Sequence, residues 1–347
     1  MIPAAEWPRD EAKDTRALRV LGDRPIQAGT SLDFERWIDA RAVVVVNDAA
    51  TVPASLSGTT SEGAAIEARL AEMVRASSDG AIVARAVLFG AGDWRTPTER
   101  RPRPPTVRAG EALALGPLRA TVERVEPAHP RLVSLRFHSA NVQTVLAGLY
   151  AHGRPVQYSY VRESLALWHV QTPLASRPVA VEAPSSGYAL SWAILARLRA
   201  RGVTIAAVTH GTGLSSTGDE ALDRVFPLDE RYEIRARAAS VINAAIAERR
   251  PVIVVGTGAM RAIESSARGN AGRVREGCAS TALRLGPSER ATVTTGIITG
   301  LHEPGSSHAS LLESLVSREA VERAARVAER EGMRAHEFGD AMLVERV

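Results

Sequence analysis

Apolar residues along the chain fall into two patterns. Residues 43–46 (VVVV), 203–208 and 252–255 (VIVV) are apolar runs with little alternation. Runs of that kind read as strands buried on both faces, as in the interior of a parallel sheet. Residues 291–298 and 341–344 predict two later strands, and 179–181 a short one. Helix-forming stretches lie at residues 31–41, 141–152, 191–201, 237–248, 259–267 and 310–331. In the stretch 191–201, Ser191 is placed to cap the start, Trp192, Leu195 and Leu198 form one stripe, and Gly202 marks the end. Residues 53–139 have another texture. Pieces at 67–73, 81–89, 111–125 and 131–137 are separated by turn-forming residues such as SSDG and GAGD. ALALGPLRATVERVEP and PRLVSLRFHS alternate with a period of two, the mark of half-buried antiparallel strands. With no long helix among them, these pieces predict a small barrel or sandwich set into an α/β chain.

Polar loops follow the buried runs. Asn47 and Asp48 follow the first, and THGTGLSS (209–216) follows the run at 203–208. EAPSSG (182–187) and TGLHEPGSSH (299–308) occupy the same kind of position. Open α/β sheets bind ligands beyond the carboxyl ends of their strands, so these loops are expected to meet at one edge. The stretch RPVIVVGTGAMRAIESSA (250–267) is central. It reads as strand, Gly-Thr-Gly turn and helix start, a place where backbone N–H groups can receive an anion or a ribose. Arg261 and Glu264 are three apart and share a helical face near that mouth. The plainer alternative is glycines that only turn the chain and a surface ion pair.

A chain of 347 residues has room for roughly two domains of about 150 residues each. Nothing approaches the ~18 apolar residues of a membrane span, and MIPAAEWPRDEAKDTRA lacks an apolar signal core, so no membrane is expected. The single cysteine, Cys278, rules out an internal disulfide and fits a reducing compartment, with the cytoplasm as the expected location. Formal charge is +4, and Lys13 is the only lysine among the 43 basic residues. Arginine suits phosphate and base contacts, yet 39 acidic residues balance it, so these totals permit nucleic-acid binding without requiring it. Residues 95–108 (RTPTERRPRPPTVR) read as an exposed loop. Among eight histidines, His210 and His302 lie in strand-ending loops. No HxH, HExxH or CxxC spacing supports a metal site, and neither a G-x-S-x-G elbow nor a P-loop lysine is present.

Several stretches together resemble the S-adenosylmethionine:tRNA ribosyltransferase-isomerases of queuosine biosynthesis. They are VVVVNDAATVPASL, the QT of WHVQTPLA, VEAPSSG, GVTIAAVTHGTGL, ERYEI, VIVVGTGAMRAIES, GIITGLHEPGSS and EFGDAML, in the family's order across nearly the whole chain. The resemblance implies a mixed sheet flanked by helices (1–52 and 140–347) with a small antiparallel β-barrel inserted near the front (53–139). It also implies that the ribosyl part of S-adenosylmethionine is transferred to an aminomethyl-deazaguanine base in tRNA. The sugar becomes an epoxycyclopentanediol, and adenine and methionine leave. A sulfonium acidifies the adjacent ribose C–H, so the chemistry calls for a positioned base and then a proton donor for departing adenine.

Carried over residue by residue, the resemblance points to His302, Arg261, Glu264, Asp340 and Glu230 as catalytic positions. Thr257, Gly258, Pro184, Ser185, Ser186, Gly187, His210, Thr212, Gly213 and Tyr232 are expected to bind S-adenosylmethionine. His302 is expected in proton transfer, Arg261 on a carboxylate or ribose, and Glu264 or Asp340 in fixing Arg261. The chain departs from the pattern at Ala50, Ser55, Leu228, Gly300 and Gly305, and at His169-Val170, Tyr188-Ala189-Leu190 and His210-Gly211-Thr212-Gly213. Those changes remove cations and histidines suited to gripping tRNA. A small-molecule acceptor, or a binding protein without catalysis, are the rival readings. The chain is expected to be a monomer or weak homo-oligomer with no metal.

Overall fold

Four parallel strands form the middle of a nine-stranded sheet, in the order Thr204–His210, Val43–Asn47, Val252–Val255 and Gly296–Gly300. The computed structural model describes residues 2–346. Every residue of Val43–Asn47 and of Val252–Val255 is buried, which is what unalternating β-branched runs require. Alternate residues nonetheless go to opposite faces. Val43, Val45, Val252 and Val254 pack with Ile242, Ile263 and Ala324 of the helices Ala236–Ala247, Thr257–Arg268 and Arg318–Arg330. Val44, Val46, Ile253 and Val255 pack with Phe34, Leu195 and Leu198 on the other face. The sheet is mixed because its flanks reverse direction. Glu230–Ile234 and Gly277–Thr281 run antiparallel on one side; Ala341–Glu345 is antiparallel to Gly296–Gly300 on the other and pairs in parallel with Arg16–Leu21.

The second unit is the inserted antiparallel barrel. Its strands are Ser55–Thr60, Ala65–Leu70, Ile82–Phe89, Ala112–Leu115, Leu118–Glu126 and His129–Phe137, with Arg75–Ala76 as a short addition. Pairing of His129–Phe137 with Ile82–Phe89 closes the sheet and leaves no long free edge. Leu56, Leu70, Leu88, Leu113 and Leu135 fill its interior, and Val145 and Leu149 of the helix Val142–His152 pack onto the same cluster.

Some elements differ from the sequence expectation. The helix expected at 31–41 is reduced to the turns Ser31–Asp33 and Phe34–Trp37, because an Asp39 carboxylate takes the Arg41 N–H and turns the chain. The strand expected at 291–298 starts only at Gly296, since the backbone before it is used to bind Glu264. The stretch 310–331 is two helices, Ser307–Leu312 and Arg318–Arg330, the second capped by Ser317. Residues 95–108 are not wholly an exposed loop. Arg101 is buried, paired with Glu67, and donates to the Gly90 and Gly92 carbonyls.

Candidate active site

The site is built on the carboxyl ends of the parallel strands. His210 ends its strand completely buried, and Asn47, ending the neighbouring strand, brackets it. Asn47 Oδ1 accepts the His210 N–H at 2.9 Å while Asn47 Nδ2 donates to the His210 carbonyl at 2.9 Å. The next strand over supplies the turn. Gly256 has φ 89°, a value that suits glycine, and the helix Thr257–Arg268 starts immediately after it. Gly258 faces His210 so closely that a Cβ there would lie 2.5 Å from the imidazole Nδ1. Over the turn sits Ser185–Ala189, with the Ser186 hydroxyl 3.4 Å from where a Gly256 Cβ would be.

Glu230 is the hub. It opens the strand Glu230–Ile234, and its Oε1 accepts the Gly213 N–H at 2.9 Å. Its Oε2 accepts Arg261 Nη1 and lies 3.3 Å from His210 Nε2. Burial pushes the Glu230 carboxyl up, but His210, Arg261 and the Gly213 N–H outweigh it and leave the group at about 2. Arg261 commits all three nitrogens to protein acceptors: Nε to the Leu283 carbonyl at 2.9 Å, Nη1 to Glu230 and Nη2 to the Thr281 carbonyl at 3.4 Å. Tyr232 is mostly buried and pairs across the ladder with His210. Pro184 precedes the Ser185–Ala189 turn, Gly187 packs on Thr172, and the Thr212 carbonyl accepts the Val181 N–H at 2.8 Å.

His302 follows the strand Gly296–Gly300, and Thr299 Oγ1 lies 2.8 Å from its Nε2. Its ring stacks on His308, with centroids 4.8 Å apart and planes 14° apart. Burial, then His308 and His336, hold His302 well below the ordinary histidine range. Although His308 is an exposed residue, crowding by the protein around its ring and then Arg261 lower it, against a smaller opposite effect of Glu230. Glu230, Arg261, His210, Gly213, Gly258 and Tyr232 are therefore one cluster, and the charges of Arg261 and Glu230 act on His308, the ring stacked on His302.

Two expected residues have their functional atoms elsewhere. The Glu264 carboxylate accepts the N–H groups of Thr292, Val293 and Thr294 and the Thr292 hydroxyl. Asp340 flanks Gly300 with its backbone, but its carboxylate takes Arg9, Arg16 and the N–H groups of Arg16 and Arg334. Neither pairs with Arg261; Glu230 does. Sequence reasoning did not single out Glu182, Tyr158 or Glu337. Tyr158 Oη donates to Glu182, Tyr160 donates to Glu337, and a void of about 20 Å³ lies among Tyr158, Glu182, Tyr188 and Glu337. Burial, offset by bonds from Ser215 and Tyr158, raises Glu182 to about 7. Only the acidic residue heading the EAPSSG loop hinted at this cluster.

A cleft of about 790 Å³ opens between the barrel rim and the sheet edge. Arg75 and Arg85 line its barrel side, Arg177 and Arg231 its sheet side, with Glu230, Tyr232 and Cys278 on its floor and wall. The volume lies within the ~300–1,000 Å³ of small-molecule sites. Among the described residues no group of three or more His, Cys, Asp or Glu side chains is arranged to hold a metal, and no helix is long and apolar enough to cross a membrane.

A family model described as "Queuosine biosynthesis protein" matches residues 3–344. An S-adenosylmethionine:tRNA ribosyltransferase-isomerase from Sorangium cellulosum is 32% identical, covering 98% of this chain and 94% of its own. One of the same name from Thermus thermophilus is 31% identical over 97% of this chain and 93% of its own. A crystal structure of S-adenosylmethionine tRNA ribosyltransferase from Thermotoga maritima superposes with a TM-score of 0.52 at 17% identity, covering 98% of this chain and 96% of that one. That likeness bears on the fold.

Proposed function

The chain belongs to the queuosine biosynthesis protein family, and from that membership we propose that it is an S-adenosylmethionine-dependent ribosyltransferase-isomerase of tRNA, acting in the cytoplasm. It moves the ribosyl part of S-adenosylmethionine to an aminomethyl-deazaguanine base, with release of adenine and methionine. The observation that carries the reading is the convergence of Glu230, Arg261, His210 and the Gly213 N–H at the carboxyl ends of the strands, with Glu230 and Gly213 on the wall of a nucleoside-sized cleft.

Each part has a task in this reading. His302, kept uncharged by its surroundings, takes the proton from the ribose C–H that the sulfonium acidifies. Arg261, with its nitrogens already engaged, fixes the Glu230 carboxylate and sets the local charge rather than gripping a substrate carboxylate itself. The buried anionic Glu230 favours a sulfonium nearby, because opposite charges interact more strongly in a water-poor site. In this reading the nucleoside reaches from the cleft toward the turn at Gly256–Gly258 and the Ser185–Ala189 segment above it. The barrel unit, taken as residues 53–139, supplies the opposite wall with Arg75 and Arg85.

The test is incubation with S-adenosylmethionine and tRNA bearing the aminomethyl-deazaguanine base, followed by chromatography of small products. Adenine and methionine released in equal amounts, with label from the ribosyl carbons retained in tRNA, is the expected result. Release that proceeds without tRNA but requires a small amine would move the acceptor assignment. Binding without adenine release would leave a non-catalytic binding protein and end this reading.

A further inference from the structure

His308 lies beside the proposed base, and its role rests on the reading of His302 given above. It occupies the first turn of the helix Ser307–Leu312, which Ser306 caps by accepting the Ala309 N–H at 3.1 Å. The imidazole is set flat against that of His302, 4.8 Å away and tilted by 14°. His308 is an exposed residue, whereas His302 is half-buried. Thr299 holds the edge of the His302 ring. The His302 ring is thus fixed by a hydroxyl at its edge and by an aromatic plane on its face.

The charged surroundings are specific. Arg261 and Glu230 act on His308, and His336 acts on His302 from the segment before Asp340. Glu230, held by Arg261, His210 and the Gly213 N–H, raises His308 by less than Arg261 lowers it. We propose that His308 is a positioning residue for the reaction: its ring holds His302 in the orientation and in the uncharged form needed to accept a proton. Two imidazoles in face contact resist carrying charge together, and they titrate as a pair rather than as two independent groups.

Two substitutions separate the ring from its charge. His308→Phe keeps an aromatic plane and removes the nitrogens; His308→Leu removes the plane as well. Because His308 is solvent-exposed, both should fold with melting temperatures near that of the parent. Histidine NMR titration reads His302 directly and does not depend on turnover. In His308→Phe the His302 midpoint should rise by about one pH unit, and the acidic limb of kcat should move with it, while kcat on the alkaline plateau is retained. In His308→Leu the plateau kcat should fall about tenfold or more with KM little changed, because the ring is no longer held. A His302 midpoint in His308→Phe that coincides with the parent would overturn the proposal. Full turnover by His302→Ala would instead remove the proton-transfer reading, and the titration would still report whether the two rings are coupled.

Discussion

Glu230 and Glu264 show how far a carboxylate's neighbours decide its task. Both are buried acids, but Glu264 spends its oxygens on three consecutive backbone N–H groups and a hydroxyl, whereas Glu230 holds Arg261 and faces His210. Replacing Glu264 by Ala should orphan those donors, at ~1–3 kcal/mol each before relaxation, and lower the urea midpoint substantially. Glu230→Gln should cost most of the turnover and part of the stability, since the amide keeps the shape but cannot balance the buried arginine. Its pH signature has a defined sign. The folded-state value of about 2 lies below the ordinary value of 4.5, so Glu230 adds stability above about pH 4.5 that is lost as pH falls toward about 2. Thermal melts of Glu230→Gln should be flatter than the parent across that window; parallel curves would contradict the assignment. The sequence pointed to both acids through ERYEI and GTGAMRAIES, yet spacing alone pairs Arg261 with Glu264, its helical neighbour. The partner came from a strand 31 positions away, a relation that helical periodicity does not encode.

At the level of elements, the strand-turn-helix unit at 252–268 places the site because two backbones approach each other there. Gly258→Ala would set a methyl group 2.5 Å from His210 Nδ1. The expected result is a loss of ~1–3 kcal/mol in stability and a larger loss of activity, read by calorimetry and adenine release. Long unalternating runs were legible as interior strands because burial on both faces leaves no polar position in them. Two of the flanking strands were not: Arg16–Leu21 mixes two arginines among its apolar residues, and Gly277–Thr281 is exposed over most of its length. Their pairing comes from long-range register, and short edge strands carry little pattern of their own. The break between Ser307–Leu312 and Arg318–Arg330 was hidden by continuous helical composition, although Ser317 marks it as a cap.

At the scale of the whole molecule, the barrel and the mixed sheet are joined by polar contacts as well as by core. Arg69 of the barrel lies 5.9 Å from the Tyr158 ring centre, Tyr158 donates to Glu182, and the Ser215 N–H donates to the same Glu182 oxygen at 3.2 Å. Glu182, raised to about 7, takes up a proton on folding between about pH 4.5 and 7, so the junction should lose stability as pH rises through that range. Glu182→Gln should be more stable than the parent at pH 8, by at most about 3 kcal/mol, and should show no gain at pH 4. The insertion of an all-β unit was readable from its change of period, whereas the cleft it forms with the sheet edge was not, because the lining comes from segments near 72–85, 177–179, 209–213, 228–233 and 278–280.

The central claim is that this cleft, walled by Glu230, receives the nucleoside substrates, and the protein carries its own reporter. Cys278 is the only cysteine in the chain, is exposed and lines the cleft. Its rate of reaction with a thiol reagent should fall by about a hundredfold when S-adenosylmethionine and the acceptor tRNA are present at 100 times their Kd. A labelling rate unchanged at that saturation would place the substrates elsewhere and contradict the account.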